Sequence, residues 1–262
     1  MGTESTMIAL GSDGYMLVFN MFSFTIAAML SAFVFFILRR SAVAPQYRMS
    51  LVVSSLVVGI AAYHYIRIFD SWNHAYDMAT GMYNPALFND AYRYVDWLLT
   101  VPLLLVELIL VLNLGRDKSG PLLTNLSIAA VLMIALGYPG EVMSATAKTS
   151  MMSEYGMWGF LSTIPFAYIL FVLWGKLGSA MESQPERVRV LFRNLRLLLI
   201  ATWGFYPIVY CLPYFGMDIA SSIVSIQTGY AIADVLAKAG YGVMIYAIAR
   251  EKSAADGWRE AA

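Results

Sequence analysis

The chain is predicted to be an all-α membrane protein, a bundle of seven spanning helices, and three observations carry that prediction. Of its 262 residues 60% are hydrophobic and only 13% charged, with a mean hydropathy of +0.65. A soluble domain of that length could not cover its surface with so few polar groups. Seven apolar runs reach the ~20 residues that cross hydrocarbon as a helix. The basic residues gather in alternate loops.

The runs fall near 15–38, 48–72, 91–113, 122–143, 153–177, 190–214 and 219–249. Residues 1–15 hold no Lys or Arg, so they do not form a secretory signal. The start "MGTEST" fits a myristoylation pattern in form, but an N-terminus outside the cytoplasm would not use it. Connectors such as "LGRDKSGP" and "LGSAMESQPE" are Gly-, Ser- and Pro-rich turns. The stretch "DSWNHAYDMATGMYNPALFNDAYR" is longer and more aromatic than a tight turn requires. Nothing marks a second domain, so residues 1–262 are expected to form one.

An odd number of spans leaves the termini on opposite sides. Arg39, Arg40, Arg48, Arg116, Lys118, Lys176, Arg187, Arg189, Arg193, Arg196, Arg250, Lys252 and Arg259 fall on one side, 13 of the 17 basic residues. Arg67, Arg93 and Lys148 lie on or toward the other, and Lys238 is inside a run. By the positive-inside rule the N-terminus is extracellular and the C-terminus cytoplasmic. Zero net charge with no detached basic cluster argues against nucleic acid as a partner, and the single Cys211 excludes a disulfide framework or multi-Cys metal site. No metal is expected.

The third run, "AYRYVDWLLTVPLLLVELIL", carries Arg93, Asp96, Thr100 and Glu107. At 100° per residue Asp96, Thr100 and Glu107 share a face, with the two carboxyl groups roughly 16 Å apart along the axis. Thr alone is common glue between membrane helices. Two carboxyl groups and an Arg on one helix are different, because each charge in hydrocarbon costs about 2.5–3.5 kcal/mol on the gentlest scale. A line of proton-capable groups suggests a relay. In the last run Asp234 and Lys238 stand one turn apart, able to face the interior beside Asp96. Lys238 is either a permanent cation between carboxylates or a neutral amine able to condense with an aldehyde. The imine formed in that second case would keep a positive charge when protonated, with Asp96 and Asp234 as counter-ions.

These residues resemble the microbial rhodopsins, seven-helix proteins that bind retinal as a Schiff base to a Lys of the last helix. "DVLAK" is similar to the family's Schiff-base segment, "RYVDWLLTVPLLLVE" to its third-helix signature, and "WGFYP" to the sixth-helix wall of its retinal pocket. The likeness spans about residues 15–250. "YHYIRIFDSW", "GYPGE" and "STIPFAYIL" resemble the xanthorhodopsin-like branch of proton pumps.

The resemblance implies covalent all-trans retinal at Lys238, with Asp96 as primary counter-ion and proton acceptor and Asp234 as second counter-ion. It makes Arg93 the residue between acceptor and exit path, Thr100 a hydrogen-bond donor to the acceptor carboxylate, and Glu107 the cytoplasmic proton donor. His64 alone would read as a hydrogen-bonded core residue, but this branch pairs such a His with the counter-ion carboxylate. His74, in the outer loop, is expected to face solvent. The pocket is expected from Trp97, Leu104, Met133, Gly137, Trp158, Ser162, Trp203, Tyr206 and Pro207. Gly159 stands where the branch opens a window beside the retinal ring, against which some members hold a carotenoid (xanthophyll) antenna.

One departure concerns proton release, because "GMDIASSIVSIQTGY" offers only Asp218 as an acid where the best-known pumps place carboxylates. The implied function is a light-driven outward proton pump, a transporter and not an enzyme, multi-pass in a prokaryotic inner (plasma) membrane. Its partners would be the lipid bilayer, protons and copies of itself, a pentamer or trimer by family analogy. The rival readings are a photosensory rhodopsin signalling through a partner protein, disfavoured by Glu107, and a retinal-free secondary transporter, which visible absorbance would exclude.

Overall fold

A computed structural model describes residues 7–113, 116–143, 152–182 and 184–259. Lys148 and the "MGTEST" start lie outside the described residues. The helices are α1 (Gly11–Arg39), α2 (Arg48–Ala75), α3 (Ala91–Leu112), α4 (Arg116–Glu141), α5 (Glu154–Glu182), α6 (Glu186–Trp203), α7 (Phe205–Tyr210), α8 (Ile219–Asp234) and α9 (Tyr241–Ala255). Neighbours in sequence pack side by side from α1 to α6, and the last helical stretch closes the ring against both α1 and α6. Six of the predicted spans are single helices, or a helix and its continuation, long and apolar enough to cross a membrane.

The sixth span, expected as one helix over 190–214, is two. α6 ends at Trp203, and α7 resumes at Phe205 after Gly204. A Cβ at Gly204 would lie 2.6 Å from the Ile200 carbonyl oxygen, so only Gly fits that tightened turn. Three residues on, Pro207 has no N–H to donate back to Trp203, which keeps the ladder broken. The seventh span changes pitch instead. Between α8 and α9, Val235–Gly240 is π-helical, and Lys238 lies within it.

At the end holding the N-terminus, the long loop after α2 is not irregular. Strands β1 (Ile8–Ala9), β2 (Tyr76–Asp77) and β3 (Met82–Tyr83) form a small antiparallel sheet in the order β1-β3-β2. It is glued by aromatic rings, Tyr15 stacking on Tyr76 with centroids 4.2 Å apart. Asp77 Oδ2 accepts from the Thr80 hydroxyl at 2.7 Å and Oδ1 from Ala79 N at 2.9 Å, bonds that hold its carboxyl below the usual range. At the same end Asp218 caps α8, and its bonds from Ser221 act in the same direction. At the opposite end Lys252, buried, donates to the last carbonyls of α3, Val111 O at 3.0 Å and Leu112 O at 3.1 Å. That cation satisfies acceptors a helix C-terminus leaves open.

Candidate functional site

Halfway down the bundle, α3, the end of α8 and the π-helical segment bring three ionisable side chains together. Lys238 Nζ lies 2.5 Å from Asp96 Oδ2 and 2.7 Å from Asp234 Oδ1, all three side chains being at most 1% exposed. One buried cation facing two buried anions is tolerable only where hydrogen bonds replace water. Asp234 has them. Oδ1 accepts also from Tyr206 Oη (2.6 Å) and Trp97 Nε1 (3.1 Å), and Oδ2 from Tyr65 Oη (2.7 Å). Asp96 is nearly bare: among the described residues Oδ2 has Lys238 alone as hydrogen-bond partner, and Oδ1 has none.

His64 stands beside that bare oxygen, its Nδ1 3.9 Å from Asp96 Oδ1. The expected imidazole–carboxylate hydrogen bond is not formed, because Nδ1 is 3.0 Å from the Ile60 carbonyl one turn back. Thr100 also departs from expectation. Its hydroxyl donates to the Asp96 backbone carbonyl at 2.8 Å and not to the carboxylate. Back-bonding of this kind is the near alternative for any helical Thr. His74 is exposed, as expected, and faces Asp70.

Along α3, Glu107 is fully buried in different company. Ser54 Oγ donates a short hydrogen bond to Glu107 Oε2, while Oε1 has no hydrogen-bond partner among the described residues. The same Ser54 hydroxyl lies 3.0 Å from the Ser50 carbonyl. Both Ser54 and Tyr65 come from α2, eleven residues apart on one buried stripe with Val58, Ala61 and Ile68. That spacing equals the interval from Asp96 to Glu107 on the antiparallel neighbour, but only Ser54 bonds that helix, since Tyr65 reaches Asp234 of the last span.

Lys238 opens onto a cavity of about 580 Å³. Of the residues expected around it, Trp97, Leu104, Met133, Gly137, Ser162, Trp203, Tyr206 and Pro207 line it, as does Gly159. Trp158 does not. It lies one turn from Ser162 on the side of α5 turned to α4, its Cβ 3.3 Å from where a Gly140 side chain would begin. The window expected at Gly159 is not an open gap either. A Cβ there would lie 2.6 Å from Tyr210 Cε1, so the Tyr210 ring of α7 already covers that backbone. Tyr210 is held by a reciprocal clasp with Tyr155: each hydroxyl donates to the other's carbonyl and the rings stack at 4.1 Å. The cavity nonetheless runs from buried Lys238 to exposed Met157 and Phe160, and so reaches the outside of α5.

Toward the end that holds the N-terminus, Arg93 is 1% exposed and donates through Nη2 to Gln227 Oε1 at 2.7 Å. Its guanidinium also covers the Tyr230 ring at 5.1 Å. Sequence reasoning named neither Tyr230 nor the buried Glu141 behind it, whose Oε2 is 3.5 Å from Tyr230 Oη.

The profile of the family described as "Bacteriorhodopsin-like protein" matches residues 17–252. This chain belongs to that family. Within the bacteriorhodopsin-like proteins it resembles the crystallographic structure of xanthorhodopsin, described as a light-driven ion pump with dual chromophore. That likeness has 55% identity and a TM-score of 0.87 over 98% of this chain and 100% of that one. The crystal structure of thermophilic rhodopsin is similar at 50% identity and TM-score 0.85, covering 95% and 98%. Green-light absorbing proteorhodopsin of Gamma-proteobacterium EBAC31A08 is 30% identical over 228 residues, 87% of this chain and 84% of its own length. The chain is thus a xanthorhodopsin-like microbial rhodopsin, a multi-span membrane protein.

Proposed function

We propose that this rhodopsin is a light-driven outward proton pump, with its N-terminus outside the cell and retinal linked to Lys238. The observation that carries the reading is the unequal bonding of three buried carboxyl groups. Asp234 is saturated, Asp96 has one partner, and Glu107 stands apart toward the opposite end. The orientation rests on loop charge.

Retinal fits what is present: a buried amine, a cavity lined by Trp97, Trp203 and Tyr206, and two anions for a cationic nitrogen. When bound there it supplies visible absorption and a light-driven change of shape. The chain's own residues then do the proton work. Asp234, already accepting from Tyr65, Tyr206 and Trp97, has no need of a proton and keeps its charge. Asp96 Oδ2, whose one partner is Lys238 Nζ, takes the proton that leaves that nitrogen. Glu107 refills the nitrogen from the cytoplasmic side. Ser54 is its one hydrogen-bond partner among the described residues, a hydroxyl whose single hydrogen lies between the Ser50 carbonyl and Glu107 Oε2. An uncharged acid is what a single hydroxyl partner in an apolar shell accommodates.

The test is a pH electrode in unbuffered medium with illuminated cells expressing the chain and supplied with retinal. Acidification that a protonophore abolishes is expected. A visible band without light-driven pH change would overturn the reading in favour of a photosensor.

A second chromophore belongs to the proposal because the cavity reaches the outside of α5 at Phe160, beside Gly159 and Tyr210. A carotenoid there would rest against the Tyr210 ring. Hydroxylated carotenoids should add their own band to the action spectrum, and Gly159→Trp should remove it. An action spectrum that follows retinal alone in the unmodified protein would end this part.

A further inference from the structure

A donor that refills the Lys238 nitrogen must itself be refilled, and the way to Glu107 from the end that holds the C-terminus is closed. Glu107 is fully buried. Its partner Ser54 is followed along α2 by Ser50, whose hydroxyl bonds the Tyr47 carbonyl at 2.7 Å. A buried polar stripe therefore runs from Glu107 to the start of α2. The surroundings at this end are otherwise apolar, with Leu51, Leu108, Val111 and Ile248 fully buried in one cluster. Lys252 of α9 stands at the outer end of the stripe. Its Nζ lies 5.2 Å from the centre of the Tyr47 ring and donates to Val111 O and Leu112 O. Val111 is one turn beyond Glu107 on α3, about 6 Å along the axis.

Ending α3 does not require this amine. The helix already stops at Asn113, whose left-handed conformation (φ 55°) brings its N–H to the Leu110 carbonyl at 3.2 Å. Burying a Lys among apolar side chains is costly, and what it adds here is a tie between helices. The next residue ties α9 to the connector before α2, Ser253 Oγ accepting from the Ala44 amide at 2.8 Å. At the surface Tyr47 Oη and Gln46 Nε2 donate to exposed Asp256 at 2.8 and 3.0 Å, joining the same two elements. Three elements meet over Glu107, and the Lys252 amine is what grips α3. Its two bonds are to neutral carbonyls, so they open without leaving an ion pair divided.

Resting on the donor role of Glu107, we propose that Lys252 is the latch on the cytoplasmic entrance to that acid, released when Glu107 is refilled. At rest the amine holds the end of α3 against α9 and Tyr47, and Glu107 is sealed from water. Once Glu107 has given its proton away, the two amine–carbonyl bonds open. Water enters along the Ser50 and Ser54 hydroxyls, and a proton from the cytoplasm restores the Glu107 carboxyl O–H bond. Lys252 keeps its own hydrogens throughout and closes again on Val111 O and Leu112 O. It is a positioning residue, acting through α3 and not on the travelling proton.

The test uses the full-length, retinal-loaded protein in vesicles, with a pH-sensitive dye on the cytoplasmic side and time-resolved infrared spectroscopy. Lys252→Met keeps the apolar stem and removes the amine. Proton uptake should quicken by about tenfold, the scale of one hydrogen bond from a charged donor that no longer has to break. After set dark intervals in D2O, single-flash spectra should also show the Glu107 carboxyl band shifted to its deuterated position sooner. Filling of Asp96 should keep its rate, and Lys252→Arg, which still offers donors to the same carbonyls, should return uptake and exchange toward the unmodified values. Unchanged uptake or unchanged exchange in Lys252→Met would overturn the proposal, as would a change that spreads to the filling of Asp96 or that Arg does not reverse. Should Lys252→Met fail to fold, amide exchange in the unmodified protein decides. The Ala44 N–H, held by Ser253, should exchange faster in continuous light than in the dark, and equal rates count against the latch. If Glu107→Gln slows reprotonation while Lys252→Met alters nothing, only the latch falls. If Glu107→Gln recovers at the unmodified rate, the donor reading falls and takes the latch with it.

Discussion

The central ion cluster and the Glu107 site lie on the same helix, about three turns apart, and solve opposite problems. At the centre, charge is kept by crowding: a Lys, two Tyr and a Trp surround Asp234. At Glu107 one hydroxyl from Ser54 is the hydrogen-bond partner, and the second carboxyl oxygen has none. Asp96 stands between these extremes, with a single hydrogen-bond partner that is the Lys238 amine. The lesson is that the number and the charge of the donors around a buried carboxyl group, more than its depth, distinguish these acids, and in the proposed scheme they make one a fixed anion, one an acceptor and one a donor.

The largest test removes the intermediate case. Asp96→Asn should abolish light-driven acidification altogether while a visible band persists, displaced to longer wavelength. Pumping that survives would mean that Asp234 can accept despite its saturation, and the comparison would fail. Glu107→Gln comes next. Filling of Asp96 should proceed as before, but reprotonation of the Lys238 nitrogen should slow by about a hundredfold, the scale of a lost general acid. Added azide should restore it, and flash spectroscopy reads both. Ser54→Ala sharpens the contrast with a smaller change. It removes one net hydrogen bond of about 1 kcal/mol and so should alter the same step by only severalfold, with the early cycle untouched. A hundredfold effect would show that Ser54 is itself a proton carrier.

The smallest effect extends the donor-count rule outside the membrane. Asp218 is exposed, and its bonds from Ser221 hold its carboxyl below the usual range. A carboxyl group lowered on folding adds stability above its unfolded value of about 3.9, and that stability is lost as pH falls through the lower folded value. Asp218→Ala should therefore reduce Tm slightly at neutral pH, and the gap should close in acid. A gap that is independent of pH would show that the charged form of the cap plays no part.

Much of the bundle was legible because membrane helices obey two strong signals, apolar length and loop charge. The faces of α3 and of the last span were legible too, since Asp96 to Glu107 and Asp234 to Lys238 are intervals that one helix fixes by itself. What single-helix spacing could not supply was the partner on another helix. Tyr65 and Ser54 are ordinary polar residues in "SSLVVGIAAYHY" until α2 is set antiparallel to α3. Thr100 departed from expectation because a helical Thr can turn its hydroxyl back to the carbonyl one turn earlier, and here it does. Trp158 failed by a rotation of its helix, and Gly159 because the absence of a side chain does not say whether a neighbour fills the space. The strands at 8–9, 76–77 and 82–83 are two residues long, too short for alternation to register.

The π-helical stretch Val235–Gly240 gives the last span an i→i+5 bonding pattern between two regular helices. Such a stretch behaves as one residue inserted into an α-helix, so the helix has two phases, one ending at Asp234 and another beginning at Tyr241. Removing a residue there would let the whole span run as an unbroken α-helix, a better helix on its own terms. It would also turn the Lys238 amine relative to Asp234. Drift in this gene can therefore exchange side chains around the amine one at a time. It cannot shorten or lengthen the segment that carries it, and alignments within this family should stay free of gaps across these six positions even where their residues differ.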